Sequence, residues 1–501
     1  MIYRTWVKMF FKPEIILGPP GCGKTTHLLN EVQSTLDNGV TPNRIGYMAF
    51  TKKAATEAVE RATERFNYTA RQLTYFRTLH SMAFRILGLT KSKVLDSKKQ
   101  KEFGNLMGIT ITGKINSEEG TVGTASRGDK ALFISAMSRI RRVSLEDQYY
   151  VDPMDLNWYE VDRIHRGLDK FKKSRGVLDF TDMLEKFVAT ADTPDLDLLV
   201  VDEAQDLSAL QWEMVRKMSK TAARTVLAGD DDQAIFQWAG ADVEYFINLE
   251  GPTTVLQQSY RVPVKIQDIA QNIISRVSIR KNKNWKPREG VSSIQYHTTT
   301  DHINMEKGSW LVLGRNSYLL EEAETKCYRD GLVFVKNGRR SVSDKSIETI
   351  KVWEELRKGG SCTAVQATPI LRFTTNRMKD YPHHGVFTLA DLKRDWGVQS
   401  ESLWHDAFIY MSAVERSYLI AALRRGEKLT KNPRIILSTI HGAKGGEADN
   451  VVLFTDIANR THRDMLKDPD SEQRVFYVGA TRAKENLHII LPRSKYYFSG
   501  V

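Results

Sequence analysis

The sequence predicts an α/β protein of parallel sheets flanked by helices, and three observations predict it. Short apolar runs end at turns loaded with Gly, Asp, Thr or Gln; helix-period segments alternate with these runs; and two long stretches without such turns interrupt the pattern. The 501 residues exceed what one compact core accommodates and suggest about three or four domains.

The first element is Ile15-Ile16-Leu17, which leads through a Gly/Pro turn into a helix-like stretch from Lys24 to Leu36. Further strand-like runs are Ile45 to Phe50, Leu196 to Val201, Thr225 to Ala228, Val255 to Gln257 and Trp310 to Leu313. Three more, Ile435 to Ser438, Val451 to Phe454 and Leu487 to Leu491, close the series. From about Ile86 to Leu178, and again from about Lys336 to Asn432, helix-period sequence rich in Lys and Arg takes over, and these read as two inserted subdomains. No internal repeat or low-complexity tract is visible.

Composition narrows the class. Apolar residues make up 41% and charged residues 27%, which fits a globular protein and disfavours disorder or a collagen-like chain. No stretch approaches 18 uninterrupted apolar residues, and Met1 to Phe11 carries Arg4 and Lys8 without a signal-peptide core. Cys22, Cys327 and Cys362 are too few and scattered for a disulfide framework or a four-ligand zinc site. A soluble protein of the cytoplasm, away from membranes, is expected. Lys and Arg outnumber Asp and Glu by 73 to 61, a formal charge of +12, which permits a polyanionic partner without requiring one.

The residues with the sharpest chemistry are Gly18-Pro19-Pro20-Gly21-Cys22-Gly23-Lys24-Thr25, followed by Thr26. This is a complete phosphate-binding loop pattern between strand and helix: backbone N–H groups cradle phosphates, Lys24 reaches the β and γ groups, and Thr25 ligates Mg²⁺. The bland alternative is a flexible Gly-rich turn, with Cys22 a small filler. Leu198 to Val201 then delivers Asp202-Glu203-Ala204-Gln205-Asp206 to the end of an apolar strand. Alone, an Asp-Glu pair there reads as a helix cap; beside the first loop it reads as Asp202 for Mg²⁺ and Glu203 as general base toward an attacking water. ATP and Mg²⁺ are the expected substrate and cofactor.

At this point the sequence resembles the UvrD/Rep/PcrA group of superfamily 1 DNA helicases. Ala49-Phe50-Thr51-Lys52-Lys53-Ala54-Ala55 resembles motif Ia, Thr78-Leu79-His80-Ser81 motif Ib, and Gly229-Asp230-Asp231-Asp232-Gln233-Ala234-Ile235-Phe236-Gln237-Trp238 motif III. Gln258-Ser259-Tyr260-Arg261 is similar to motif IV, Ser438 to Glu447 to motif V, and Tyr477 to Ala483 to motif VI. Arg175 to Phe180 resembles the family's return from its first insertion. Each motif is modest alone; their number and order are specific.

The resemblance implies two RecA-like domains with an inserted, mainly helical subdomain in each. The expected bounds are 1–85 with 179–250 for domain 1A, 86–178 for 1B, 251–335 with 433–501 for 2A, and 336–432 for a small 2B. It also implies that Gln233 senses the γ-phosphate, that Arg261 and Arg482 act as arginine fingers, that Tyr260 stacks on adenine and that Glu447 bonds the ribose. For DNA it implies base stacking on Phe50 and Trp238, and backbone contacts at Thr51, Thr78, His80, Thr439 and His441. The two histidines read equally well as buried structural residues.

The sequence also departs from the family pattern. No Leu-Asn…Gln adenine-reading pattern precedes Gly18, and Ala239 stands where the family usually has Arg. Tyr496-Tyr497-Phe498 lies near where relatives carry a duplex-splitting hairpin, and reads either as a truncated pin or as a terminal strand docking its aromatics. Arg276, Arg280, Lys281, Lys283, Lys286 and Arg288 around Trp285 read as a nucleic-acid patch or as a solvated loop anchored by its Trp. Most of the excess charge falls in the insertions: 17 basic against 12 acidic groups in 86–178, and 17 against 11 in 336–432. DNA backbones are expected there.

Taken together, the expectation is an ATP-dependent DNA helicase and single-strand translocase, by family likeness moving 3′ to 5′. It would act on single-stranded DNA and single-strand/duplex junctions, with replication or repair proteins as partners, in a bacterial or phage-infected cell. The alternatives are a translocase that strips proteins from DNA with little unwinding, and a DNA-binding scaffold with a switch ATPase.

Overall fold

The computed structural model describes residues 12–113, 115–116, 121–122, 125–376 and 381–501. The segment Met1 to Phe11 lies outside the described residues. Two parallel sheets organise the chain. The first runs, edge to edge, Tyr75–Thr78, Ile45–Ala49, Leu196–Val201, Ala222–Gly229, Glu14–Leu17 and Thr253–Val255. Every neighbouring pair is parallel, with Ile15 opposite Leu227 and Tyr47 opposite Val200. The inner strands, buried on both faces, read as continuous apolar runs, whereas the half-exposed edge strand Tyr75–Thr78 did not.

The second sheet runs Ser293–His297, Ala483–Ile490, Ala448–Phe454, Trp310–Gly314, Ile435–Thr439, Phe334–Lys336 and Arg339–Arg340, parallel except for the last pair. Two boundaries shift from expectation. Thr253–Val255 pairs with Glu14–Leu17, so the first sheet reaches past residue 250. Phe334–Lys336 and its hairpin to Arg340 belong to the second sheet, so the second insertion begins after the expected residue 336.

Apolar layers cover both faces of each sheet. The first insertion has a core of its own, in which Phe103, Ile134, Ile164 and Phe171 meet. It is tied back by Arg139 and Lys172, whose charges are taken up by Asp179 and Asp182 at the start of the helix Phe180–Thr190. The second insertion shares one continuous core with the second sheet, where Trp353, Phe408 and Leu419 join Val312 and Phe454. Tyr418 seals that junction by donating to the Leu332 carbonyl at 2.8 Å. No described helix is long and apolar enough to cross a membrane.

Two of the three C-terminal aromatics dock, and Tyr497 is exposed. Phe498 is buried and stacks on Phe476 with centroids 4.0 Å apart, and Tyr496 packs on His462. The backbone is tied in by Phe498 N to Thr455 O and Ile457 N to Tyr496 O, both 2.9 Å. The truncated-pin reading therefore gives way to a docked terminal segment, held by an isolated bridge between Asp456 and Tyr497 rather than as a strand.

Candidate nucleotide and nucleic-acid site

The strand Glu14–Leu17 ends at Gly18, whose N–H donates to the Gly229 carbonyl and so fixes the loop beside the start of Asp230–Gln233. Gly21 needs to be glycine on two counts. Its φ is +71°, and a Cβ there would collide with the Cβ of Arg261 from the second domain. Lys24 opens the helix Lys24–Asp37 and folds its Nζ back to the Gly18 carbonyl at 2.8 Å. Pro19, Pro20 and Cys22 are buried in the loop wall, Gly23 caps the helix with positive φ, and Thr26 is exposed. Burial raises the Cys22 thiol despite Lys24 nearby, so it is a packing residue at neutral pH.

The strand Leu196–Val201 carries Asp202 to the same place. Asp202 Oδ2 accepts from Thr25 Oγ1 at 3.1 Å and from Tyr47 OH at 2.9 Å. A hydroxyl and a carboxylate beside a phosphate loop are hard oxygen donors, which suit Mg²⁺ carried in by a nucleotide. Glu203 adopts φ +54°, a strained conformation for a non-glycine residue. Burial raises the Asp202 carboxyl, reinforced by the charge of Glu203. For Glu203, burial is outweighed by Lys444, Lys24, the Gln205 amide and Arg482, so its carboxyl is held low and ionised.

Gln205 and Asp206 complete this acidic floor. Gln205 is fully buried, donates to Glu203 Oε2 at 2.5 Å and accepts from Asp230 N at 2.9 Å. Asp206 has no exposed side-chain surface, and burial pushes its carboxyl up to about 7 even though Lys444 of the second domain pairs with its Oδ2. Its Oδ1 has no partner. Lys444 Nζ also donates to the Gln233 carbonyl at 2.7 Å and lies 3.8 Å from Glu203.

The second domain closes over this floor. Gln233 donates to Asp230 Oδ2 at 2.7 Å and accepts from Arg482 Nη2 at 2.8 Å. Arg482 is fully buried, with Nε on the Val478 carbonyl at 2.9 Å. Ser259 Oγ donates to the Pro20 carbonyl at 2.7 Å and Tyr260 N to the Gly21 carbonyl at 2.8 Å, which sets Arg261 against the loop and leaves the Tyr260 ring 70% exposed. Glu447 bonds Arg261 at 2.6 Å, so in this arrangement it holds that guanidinium.

Most of the remaining expected residues lie beside this cleft. Phe50 packs on Phe236 at 5.3 Å, and His441 stands edge-on to Phe236 at 6.1 Å and to Trp238 at 6.3 Å, making one aromatic wall across the domain boundary. Trp238 Nε1 and His441 Nε2 are buried without a hydrogen-bond partner among the described residues. Burial drives His441 well below its ordinary value, so it is neutral. Thr51 and Thr78 cap the helices Lys52–Phe66 and Leu79–Ile86, and Thr439 Oγ1 accepts from Gly442 N at 3.1 Å. All three lie at the C-terminal ends of parallel strands, and after Thr51 and Thr78 helix N-termini present amide donors. His80 stands apart from the wall, edge-on to Phe180 at 5.9 Å, and burial lowers it to about 4.

The basic cluster around Trp285 is a loop anchored by its Trp, with Arg276 and Lys286 exposed, but two of its cations are not solvated. Trp285 is buried in the second-domain core, and Arg280 and Lys283 are consumed by Asp230, Asp231 and Asp232 of the first domain.

The model of the UvrD/REP helicase N-terminal domain matches residues 3–253, half of the chain. The chain belongs to the UvrD/REP helicase family. The UvrD-like helicase C-terminal domain matches residues 410–494 of this UvrD/REP member, which takes in Lys444, Glu447 and Arg482. The ATP-dependent DNA helicase PcrA of Staphylococcus epidermidis is 26% identical over 310 residues, covering 57% of this chain and 41% of that protein. PcrA of Staphylococcus aureus is 25% identical over 316 residues, 58% of this chain and 42% of that protein. The chain thus spans about two fifths of the length of these curated relatives. An arterivirus nonstructural protein 10 helicase aligns over 96% of this chain and 60% of its own, with 10% identity and a TM-score of 0.34, too slight a likeness to argue from.

Proposed function

We propose that this UvrD/REP-family chain is an ATP-driven DNA helicase and single-strand translocase, moving 3′ to 5′. The observation that carries the reading is the convergence of one acidic, phosphate-loop floor and one cationic lid at a single cleft, with an aromatic wall alongside. In this reading Lys24 and the loop amides bind the β and γ phosphates, and Tyr260, exposed at the cleft, stacks on the base. Thr25 and Asp202 would hold Mg²⁺, which supplies charge neutralisation at the phosphates. Glu203, held ionised, accepts the proton of the attacking water. Arg482 and Arg261 balance charge on the transferring phosphoryl group, and Gln233, bonded to Arg482, registers its presence. Because Phe236 and Trp238 directly follow Gln233 and its neighbours, movement at the cleft is passed to the aromatic wall. Bases stacked there are gripped and released without regard to sequence.

The docked Phe498 favours the second reading, a translocase that displaces proteins and unwinds little, because this ring packs a core and is not presented as a wedge. The two are separated by unwinding of 3′-tailed and 5′-tailed duplexes, measured beside ATP hydrolysis with and without single-stranded DNA. Unwinding of the 3′-tailed duplex supports the helicase; hydrolysis stimulated by DNA without strand separation supports the stripping translocase; DNA-indifferent hydrolysis refutes both.

A further inference from the structure

The buried charges beside the cleft are arranged around Lys283, a residue outside every motif that resembles the family. Its side chain has no exposed surface, although it is carried by the second domain and all its carboxylate partners belong to the first. Lys283 Nζ lies 3.2 Å from Asp230 Oδ1 and 3.1 Å from Asp232 Oδ2, and pairs directly with Asp231 Oδ1. Arg280 forks onto Asp232 at 2.8 and 2.5 Å, and the Lys281 amide donates to Asp231 Oδ2 at 2.7 Å. Three consecutive buried carboxylates repel one another strongly, so they sit together only while these cations face them.

Asp230 is where the cluster meets the site. One oxygen faces Lys283; the other accepts the Gln233 amide at 2.7 Å. A carboxylate demands the NH₂ end of Gln233, so Gln233 Oε1 is left to accept from Arg482 at 2.8 Å. The amide satisfies both partners in one orientation only. The chain Lys283, Asp230, Gln233, Arg482 therefore begins and ends in the second domain and passes through the first.

We propose that Lys283 is a positioning residue for Gln233: by engaging Asp230 only when the two domains are apposed, it fixes the Gln233 amide toward Arg482 and so makes phosphate sensing conditional on closure. The inference rests on the proposed role of Gln233 and Arg482. A plain clamp between domains would use the same contacts, and the two roles are separated by removing one charge from each side.

Lys283→Met, Lys283→Arg and the double variant Lys283→Met/Asp231→Asn are compared with wild type for melting temperature, kcat and KM for ATP with single-stranded DNA present. Asp231 shares the ammonium but has no side-chain bond to Gln233. The expected result is that Lys283→Met lowers kcat by about ten- to a hundredfold, as a misplaced group does, with KM little changed. The double variant regains the melting temperature but not kcat, and Lys283→Arg recovers part of kcat. Wild-type kcat in Lys283→Met, or recovery of kcat together with melting temperature in the double variant, would overturn the proposal while leaving the proposed function standing. Absence of ATP turnover in the wild-type chain would overturn both.

Discussion

Replacing Lys444 by Met removes a cation that reaches into the acidic floor while keeping most of its apolar stem. In the shut cleft Lys444 pairs with Asp206 and donates to the Gln233 carbonyl. Asp206 sits at about 7 with Lys444 present, against about 3.9 for a solvated Asp. Burial is the main cause, and without the ammonium the carboxyl rises further. Below pH 7 Asp206 is protonated in both proteins, so the variant loses hydrogen bonds alone, about 1.5 kcal/mol or roughly tenfold in closure. Above pH 7 the wild-type carboxyl ionises while the variant must still take up a proton to close. The deficit therefore grows with pH, by up to about tenfold per unit until the variant's own Asp206 ionises. The assay is kcat/KM for ATP in both proteins from pH 6 to 9. A wild-type to variant ratio that stays flat through this range, or falls as pH rises, would refute the argument.

Three further outcomes follow from the same contacts. Tyr47→Phe deletes the hydroxyl on Asp202 and should raise the Mg²⁺ concentration for half-maximal hydrolysis by about tenfold, with kcat near wild type at saturating Mg²⁺; a Mg²⁺ titration of ATP turnover checks it. Trp238→Ala should weaken binding of a fluorescent oligothymidylate by about 1–3 kcal/mol, read by anisotropy, because it removes one stacking face. Phe498→Ala should destabilise the chain by about 3–5 kcal/mol in denaturant titration and lower ATP hydrolysis and unwinding together, since the ring packs a core; selective loss of unwinding would restore the pin.

What the sequence made legible were groups at strand ends. Asp202 directly follows an apolar run, Lys24 and Thr25 follow one through a Gly-rich loop, and local spacing carries their chemistry. Lys444 was visible within its motif, but its partner Asp206 lies 238 positions away, and only the fold shows that they meet. Tyr47 read as one more strand residue, because nothing local says that its hydroxyl faces Asp202. The charge of Arg280 and Lys283 was plain, yet a run of cations looks alike whether it meets solvent, phosphate or three buried aspartates. The shared core of the second insertion was hidden for a related reason: an apolar helix face does not name the sheet it covers.

The central claim is that the cleft couples ATP hydrolysis to a DNA strand. Its most direct measurement is steady-state ATP hydrolysis by the wild-type chain, by Lys24→Ala and by Arg482→Ala, with and without single-stranded DNA. The account predicts hydrolysis that rises on adding DNA, and loss of that activity in both variants, by about 10³-fold or more for the arginine. Hydrolysis indifferent to DNA, or retained when Arg482 is removed, would contradict it.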